Sequence, residues 1–306
     1  MNLEKMDHGD ANQSTAIAIW KNNLWYLVPI LMLLGLVLSL VYNYYHIITY
    51  ENFIHNLNYE FFIFLFIGVF AQLVDGTLGM GYGTTSTSFL LTFGVSPATS
   101  SMAVHVAEMF TTGASAISHH KFKNIDKKLV YNLIIPGLVG SVLGAYLLSD
   151  VIDGKVIKPY IALYMLILAI LIVIKGLRRK NIVKNTNKGQ LNLLALFGGF
   201  MDSIGGGGWG PIVTSTLMGR GGDPRYIIGS VNTAEFAVAF ASGVTFILFD
   251  GIMGWQVIVG LIVGGIVAAP ISAYLVNKIP RKPITLLVGV LLILLSLRTL
   301  YQIFFK

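Results

Sequence analysis

A stretch of 34 residues, Asp75 to Glu108, recurs without a gap 127 positions later as Asp202 to Glu235, with 12 identities. Which residues coincide matters more than how many. Asp75 meets Asp202, and Gly79, Gly81 and Gly83 meet Gly206, Gly208 and Gly210. Thr87-Ser88 meets Thr214-Ser215, Pro97 meets Pro224 and Glu108 meets Glu235, while Tyr82 faces Trp209 and His105 faces Asn232. Generic apolar similarity would align leucines with valines, whereas here acids, glycines and prolines coincide. The chain is built twice over, and each copy carries residues that lipid tolerates only for a reason.

The surroundings follow from composition. Of 306 residues, 55% are hydrophobic and 11% charged, against about 25% charged in a soluble domain. Such a chain is an all-α polytopic membrane protein. The net charge of +7 sits in short clusters between apolar segments, which reads as topogenic loops rather than a nucleic-acid surface. The absence of cysteine excludes disulfides, thiolate metal sites and thiol redox chemistry.

Along the chain, residues 1–23 read as a cytoplasmic tail and Leu24–Tyr42 as an extra N-terminal transmembrane helix, retained because no small-residue cleavage site follows it. Residues 43–58 suit an outer interface. Residues 61–93 hold one charge, Asp75, and are too long for one comfortable span. Gly76, Gly79, Gly81 and Gly83 would each cost a continuous helix about 1 kcal/mol, so two short helices meeting at a break are expected. Helices over 100–118, 129–149 and 159–174 follow. The plan repeats after the basic linker: 191–218, broken at Gly205–Gly208, then 226–249, 255–277 and 284–305. This divides the chain into 1–58, a first repeat at 59–174, a linker at 175–190 and a second repeat at 191–306.

Orientation comes from counting cations. If each broken segment enters and leaves on the same side and the N-terminus is inside, stretches 1–23, 119–128, 175–188, 220–225 and 278–282 are cytoplasmic and hold 17 of the 21 Lys and Arg residues. Treating each break as a crossing puts two of those clusters outside, against the positive-inside tendency. Each repeat is then a re-entrant, glycine-broken helix pair plus three crossings. Three is odd, so the repeats have inverted topology, as in secondary transporters with sites at discontinuous helices near the midplane of the cell membrane.

The breaks, Gly79–Gly83 and Gly205–Gly210, carry the chemistry. Non-helical backbone at membrane depth lines a cavity or is buried in protein, and each break ends where a helix is expected to begin, near Thr84 or Pro211. A helix start offers free N–H donors and positive partial charge, a seat for a small anion. Close helix packing through small residues is the competing reading, but it does not require four consecutive glycines at matching positions. The candidate substrate-binding residues are Gly79, Gly81, Tyr82, Gly83, Thr84, Thr85, Gly206, Gly207, Gly208, Trp209, Gly210, Thr214 and Ser215, with His105 and Asn232 as polar lining. Tyr82 and Trp209 stand as gates or walls. The hydroxyls would donate to the anion or bond back within their own helices. Asp75, Glu108, Asp202 and Glu235 are intramembrane acids, each costing roughly 2.5–3.5 kcal/mol to insert. They are candidates for ion coupling; for the glutamates bracing is an equal alternative, and for the aspartates, each just ahead of a glycine break, bracing or helix-end capping is the favoured reading.

Other functions find less support. A phosphate loop needs a lysine these glycines lack, and no nucleophile–base pair, metal triad or cofactor motif appears. No enzyme, no cofactor and no metal site are expected. A sodium or calcium exchanger using Glu108 and Glu235 is the alternative, although calcium wants six to eight oxygen ligands.

The segments Val74–Gly83 and Asp202–Gly208, with Pro97-Ala98-Thr99 and Pro224 following, resemble the TauE/SafE sulfite exporter family over about residues 60–300. Gly-Met-Gly-Tyr-Gly in the first copy departs from the unbroken glycine run of many members. The resemblance implies a transporter of sulfite, other small sulfur oxyanions or organosulfonates, generally outward and coupled to a proton or sodium gradient.

Overall fold

Every element of the computed structural model is a helix; it describes residues 58–177, 187–221, 223–275 and 281–305. The expected N-terminal helix at 24–42 and most of the basic linker lie outside the described residues. The first copy gives α1 (Tyr59–Leu78), α2 (Tyr82–Thr92), α3 (Pro97–Lys121), α4 (Lys127–Tyr146) with a π turn at Leu147–Val151, and α5 (Gly154–Leu177). The second gives α6 (Lys188–Gly205), a π turn at Gly210–Thr214 running into α7 (Ser215–Gly219), then α8 (Pro224–Asp250), α9 (Trp255–Leu275) and α10 (Arg281–Phe305). The sequence offset of 127 carries over to the elements: Pro97 and Pro224 open α3 and α8, and Gly154 and Arg281 open α5 and α10.

Local chemistry sets the boundaries. Asn58 caps α1 through its side-chain oxygen, which accepts from the Phe61 amide at 3.3 Å. Asn187 and Asp223 do the same for α6 and α8. Helices α1 and α6 end on the same device, a left-handed glycine at C′ (Gly79, φ 73°; Gly206, φ 68°) whose amide returns to the carbonyl of Asp75 or Asp202. Gly76, named among the glycines that would weaken a continuous helix, and Gly83, expected inside the break, are helical, and α2 begins at Tyr82 rather than near Thr84. Two reversals, at Gly79 and Gly81 (φ 113°), complete the turn. The second break turns at Gly206 and Gly207 (φ 153°) instead, because Met80, the counterpart of Gly207, carries a side chain that disfavours positive φ.

Packing exchanges partners between the copies. Helix α1 lies along α9, and α6 along α4, while α3 pairs with α8 and α5 with α10. These are the same pairs under the repeat. The α1–α9 and α4–α6 seams run on glycine: a Cβ on Gly264 would sit 2.2 Å from the Leu65 carbonyl oxygen, and one on Gly140 2.1 Å from that of Leu196. In lipid, such backbone approach replaces the hydrophobic drive that water supplies.

Among the described residues, five helices are long and apolar enough to cross a membrane, over Tyr59–Gly76, Lys127–Val151, Gly154–Leu177, Pro224–Asp250 and Lys282–Phe305. Large apolar side chains such as Phe62, Phe66, Ile135, Leu163, Leu287 and Leu294 point outward, as a lipid-facing surface requires. The polar side chains go inward: Thr84, Thr85, Ser86, Thr87, Ser88, Ser101, His105, Glu108 and Asp202 are all buried.

Candidate functional site

The two glycine breaks touch. A Cβ on Gly83 would lie 2.7 Å from the Cα of Gly207, and one on Gly210 would lie 2.9 Å from the Cβ of Met80. Gly83 and Gly210 are repeat counterparts, as are Met80 and Gly207, so these are one contact made twice. Hydroxyls lock it: Thr87 donates to the Gly206 carbonyl and Ser101 to the Ser203 carbonyl, and the Ser203 and Ser242 hydroxyls bond each other.

Carboxylates occupy the helix-start amides. Asp202 Oδ1 accepts from the amides of Gly208 at 2.7 Å and Trp209 at 2.9 Å. In the first copy the Asp75 carboxylate lies near the Tyr82 amide, the counterpart of Trp209, and the Glu108 carboxylate near that of Gly83. The second oxygen of Asp202 faces His105 Nε2 at 3.1 Å. The other ring nitrogen of His105, Nδ1, lies 2.7 Å from the Ser101 carbonyl oxygen. Asn232, at the matching position, donates to Ser115 Oγ at 2.9 Å instead.

The four acids form one electrostatic group. Asp75, Asp202 and Glu235 all lie within charge reach of Glu108, and Asp75 and Asp202 within reach of Glu235. Glu108 and Asp202 are buried, whereas Asp75, Asn232 and Glu235 are partly accessible. His105, Glu108 and Asp202 each bring one ligand atom within 4.8 Å of the others, close enough to hold a small cation.

The remaining candidates divide in two. Tyr82 and Trp209 point away from the contact and are buried, the Tyr82 hydroxyl donating to the Leu261 carbonyl at 3.1 Å and Trp209 Nε1 to that of Val231 at 3.3 Å. Thr84 bonds back to the Gly81 carbonyl and Ser215 to that of Pro211, and Ser215 also receives Lys175 Nζ. By contrast, Thr85 Oγ1, Ser86 Oγ, Ser88 Oγ, Thr214 Oγ1 and Glu108 Oε2 are buried without a hydrogen-bond partner. Tyr164 joins them: its hydroxyl is buried, unpartnered and 2.1 Å from where a Cβ on Gly208 would stand. Sequence reasoning missed Tyr164, whose repeat counterpart is Leu291, so no symmetry pointed to it.

The family model for the sulfite exporter TauE/SafE matches residues 64–299. The chain belongs to the TauE/SafE family. It is 45% identical over 248 residues to the probable membrane transporter protein YtnM of Bacillus subtilis strain 168, covering 78% of this chain and 82% of that one. Similarity to YunE of the same organism, another probable membrane transporter protein, is 22% over 271 residues, covering 79% and 98%. No solved structure matches the chain. It is thus an integral, multi-pass transporter of the TauE/SafE family rather than an enzyme, and the paired breaks fall inside the matched region.

Proposed function

We propose that this TauE/SafE transporter carries sulfite, or a related small sulfur oxyanion or organosulfonate, outward across the cell membrane, coupled to an ion gradient. The supporting observation is the set of carboxylates on the helix-start amides. Gly208 and Trp209 hold one oxyanion group, and two more carboxylates lie near the Tyr82 and Gly83 amides. A site that seats a carboxylate on paired N–H donors has the spacing and polarity to seat another small oxyanion. The unpartnered hydroxyls of Thr85, Thr214 and Tyr164 supply further donors to a guest that can only accept.

Substrate enters this site by displacing the resident carboxylates. With four acids grouped there, an anion is favoured when protons accompany it, which makes coupling to protons the natural arrangement. Inverted repeats fit the partner exchange of α1 with α9 and α6 with α4, and opposed re-entrant breaks at the midplane would open to alternate sides as the two copies rock. The cation count supports a cytoplasmic N-terminus.

One observation favours a second reading. The approach of His105, Glu108 and Asp202 to within 4.8 Å suits a cation, and Glu108 with Glu235 would serve a sodium or calcium exchanger. Flux into proteoliposomes separates the two. Labelled sulfite or an alkanesulfonate should move while labelled sodium and calcium do not. Cation movement without oxyanion movement would reverse the assignment.

A further inference from the structure

Lys175 stands in the last turn of α5, where a lysine ordinarily extends its ammonium toward water or onto the last carbonyls of its own helix. Here it reaches elsewhere. Nζ turns across to the second break, donating to the Pro211 carbonyl at 3.3 Å and to the Ser215 hydroxyl, 36 and 40 positions away. Those partners belong to the π turn Gly210–Thr214 and to the first residue of α7. Ser215 donates its own hydrogen to the Pro211 carbonyl, so its oxygen meets the lysine as an acceptor. An ammonium carries three hydrogens, and these two neutral oxygens take two of them. Among the described residues Lys175 forms no ion pair, and the chain holds no Asp or Glu between Asp153 and Asp202. Its charge is therefore unmatched. Pro211, Thr214 and Ser215 are buried, whereas Lys175 is exposed and can be reached from outside the protein. Thr214 Oγ1, the next hydroxyl inward along the turn, is 1% exposed and has no hydrogen-bond partner.

The repeat shows what is special to this end. The counterpart of Ser215 is Ser88, and that of Lys175 is Gln302. Ser88 Oγ is buried without a partner, so the first copy keeps the hydroxyl and lacks the cation. We propose that Lys175 is the capture residue of the second break, holding an incoming oxyanion on the ammonium hydrogen that Pro211 and Ser215 leave over and passing it to the Thr214 hydroxyl. This rests on the oxyanion reading above and names the residue by which that site takes its substrate from the side of the basic linker. Four acids grouped at the contact of the breaks repel an approaching anion. A cation at the entry offsets that repulsion and gathers anions locally, and an ammonium–oxyanion hydrogen bond is of the stronger, charge-assisted kind. With Gln302 at the equivalent place, the other mouth has no such hold. Anions are collected on the linker side and released from the opposite one, as an exporter requires.

The direct test needs no variant. Full-length protein in nanodiscs is acylated with an N-hydroxysuccinimide ester, and modification of Lys175 is followed by mass spectrometry. Sulfate and methanesulfonate are the probes, against chloride at equal ionic strength; sulfite would consume the ester. Acylation of Lys175 should slow severalfold in either oxyanion, while Lys188, exposed at the start of α6, keeps its rate. In proteoliposomes Lys175→Met should raise the KM for sulfite about tenfold, the worth of one charge-assisted hydrogen bond, and Lys175→Arg should bring it back. Equal acylation of Lys175 in oxyanion and chloride would overturn the proposal, as would a wild-type KM in Lys175→Met. If Lys175 is shielded but sulfite does not cross the membrane, the anion seat stands and the transport reading falls. If sulfite crosses while Lys175 stays unshielded, transport stands and the capture role falls. Should Lys175→Met fail to insert, the acylation result decides.

Discussion

Gly83→Ala sets two physical effects against each other. Position 83 is the second residue of α2, where alanine is intrinsically better than glycine by about 1 kcal/mol. On propensity alone the variant should be more stable. Its methyl would lie 2.7 Å from Gly207 Cα, whereas ordinary contact begins at 3.4 Å, so the breaks must separate by the difference, 0.7 Å. The deciding contact is backbone on backbone: the Gly206 carbonyl oxygen also lies at 3.0 Å, while Glu108 Oε1, at 3.0 Å too, is the end of a side chain that can give way. Overpacking of this kind costs about 1–3 kcal/mol, so sterics should outweigh propensity by about 1 kcal/mol, lowering Tm by about 2–4 °C for a chain of this size. Transport should suffer more than stability, since a misplacement near 1 Å can cost about a hundredfold in rate. Tryptophan-monitored melting in detergent and labelled-sulfite flux measure the two effects. Gly219→Ala, with open space around the added methyl, serves as control and should leave both near wild type. A Gly83→Ala protein with raised Tm and wild-type flux would refute the claim that the breaks bear on each other.

Asp202→Ala should destabilise the protein strongly, because it strands two buried amides and an imidazole at about 1–3 kcal/mol per group. Asp202→Asn should recover most of that stability but not pH-driven transport; melting curves and flux check the pair. Gly208→Val should abolish flux in protein that still inserts, since its Cβ would stand 2.1 Å from the Tyr164 hydroxyl; normal flux in purified variant would count against the site. Tyr164→Phe removes a hydroxyl with no partner, so Tm should change by less than about 2 °C. Sulfite affinity should fall about tenfold, the worth of one lost hydrogen bond of about 1.4 kcal/mol; unchanged affinity would remove Tyr164 from the site.

Much of this was legible before any coordinates. Acids and glycines stand out against an apolar background, and the offset of 127 fixed which of them correspond, so the breaks, the four acids and the element order could be read off the chain. What could not be read were the tertiary partnerships. Asp202 bonds His105 across 97 positions, and no local pattern announces that a helix-start seat is filled by the chain's own carboxylate. Tyr82 and Trp209, expected to wall the site, have rings anchored on the distant Leu261 and Val231 carbonyls. Tyr164 has no counterpart in the other copy. Break boundaries shifted by a few residues because left-handed turns at Gly79 and Gly81 reverse the chain faster than a loop would.

The central claim is that an oxyanion replaces Asp202 on the amides of the second break. Electron cryomicroscopy of the full-length protein with sulfite, or with the heavier selenite, tests it most directly. The expected result is trigonal density within hydrogen-bond reach of the Gly208 and Trp209 amides, with the Asp202 side chain turned away. Density elsewhere in the protein, with Asp202 still seated on those amides at saturating ligand, would contradict it.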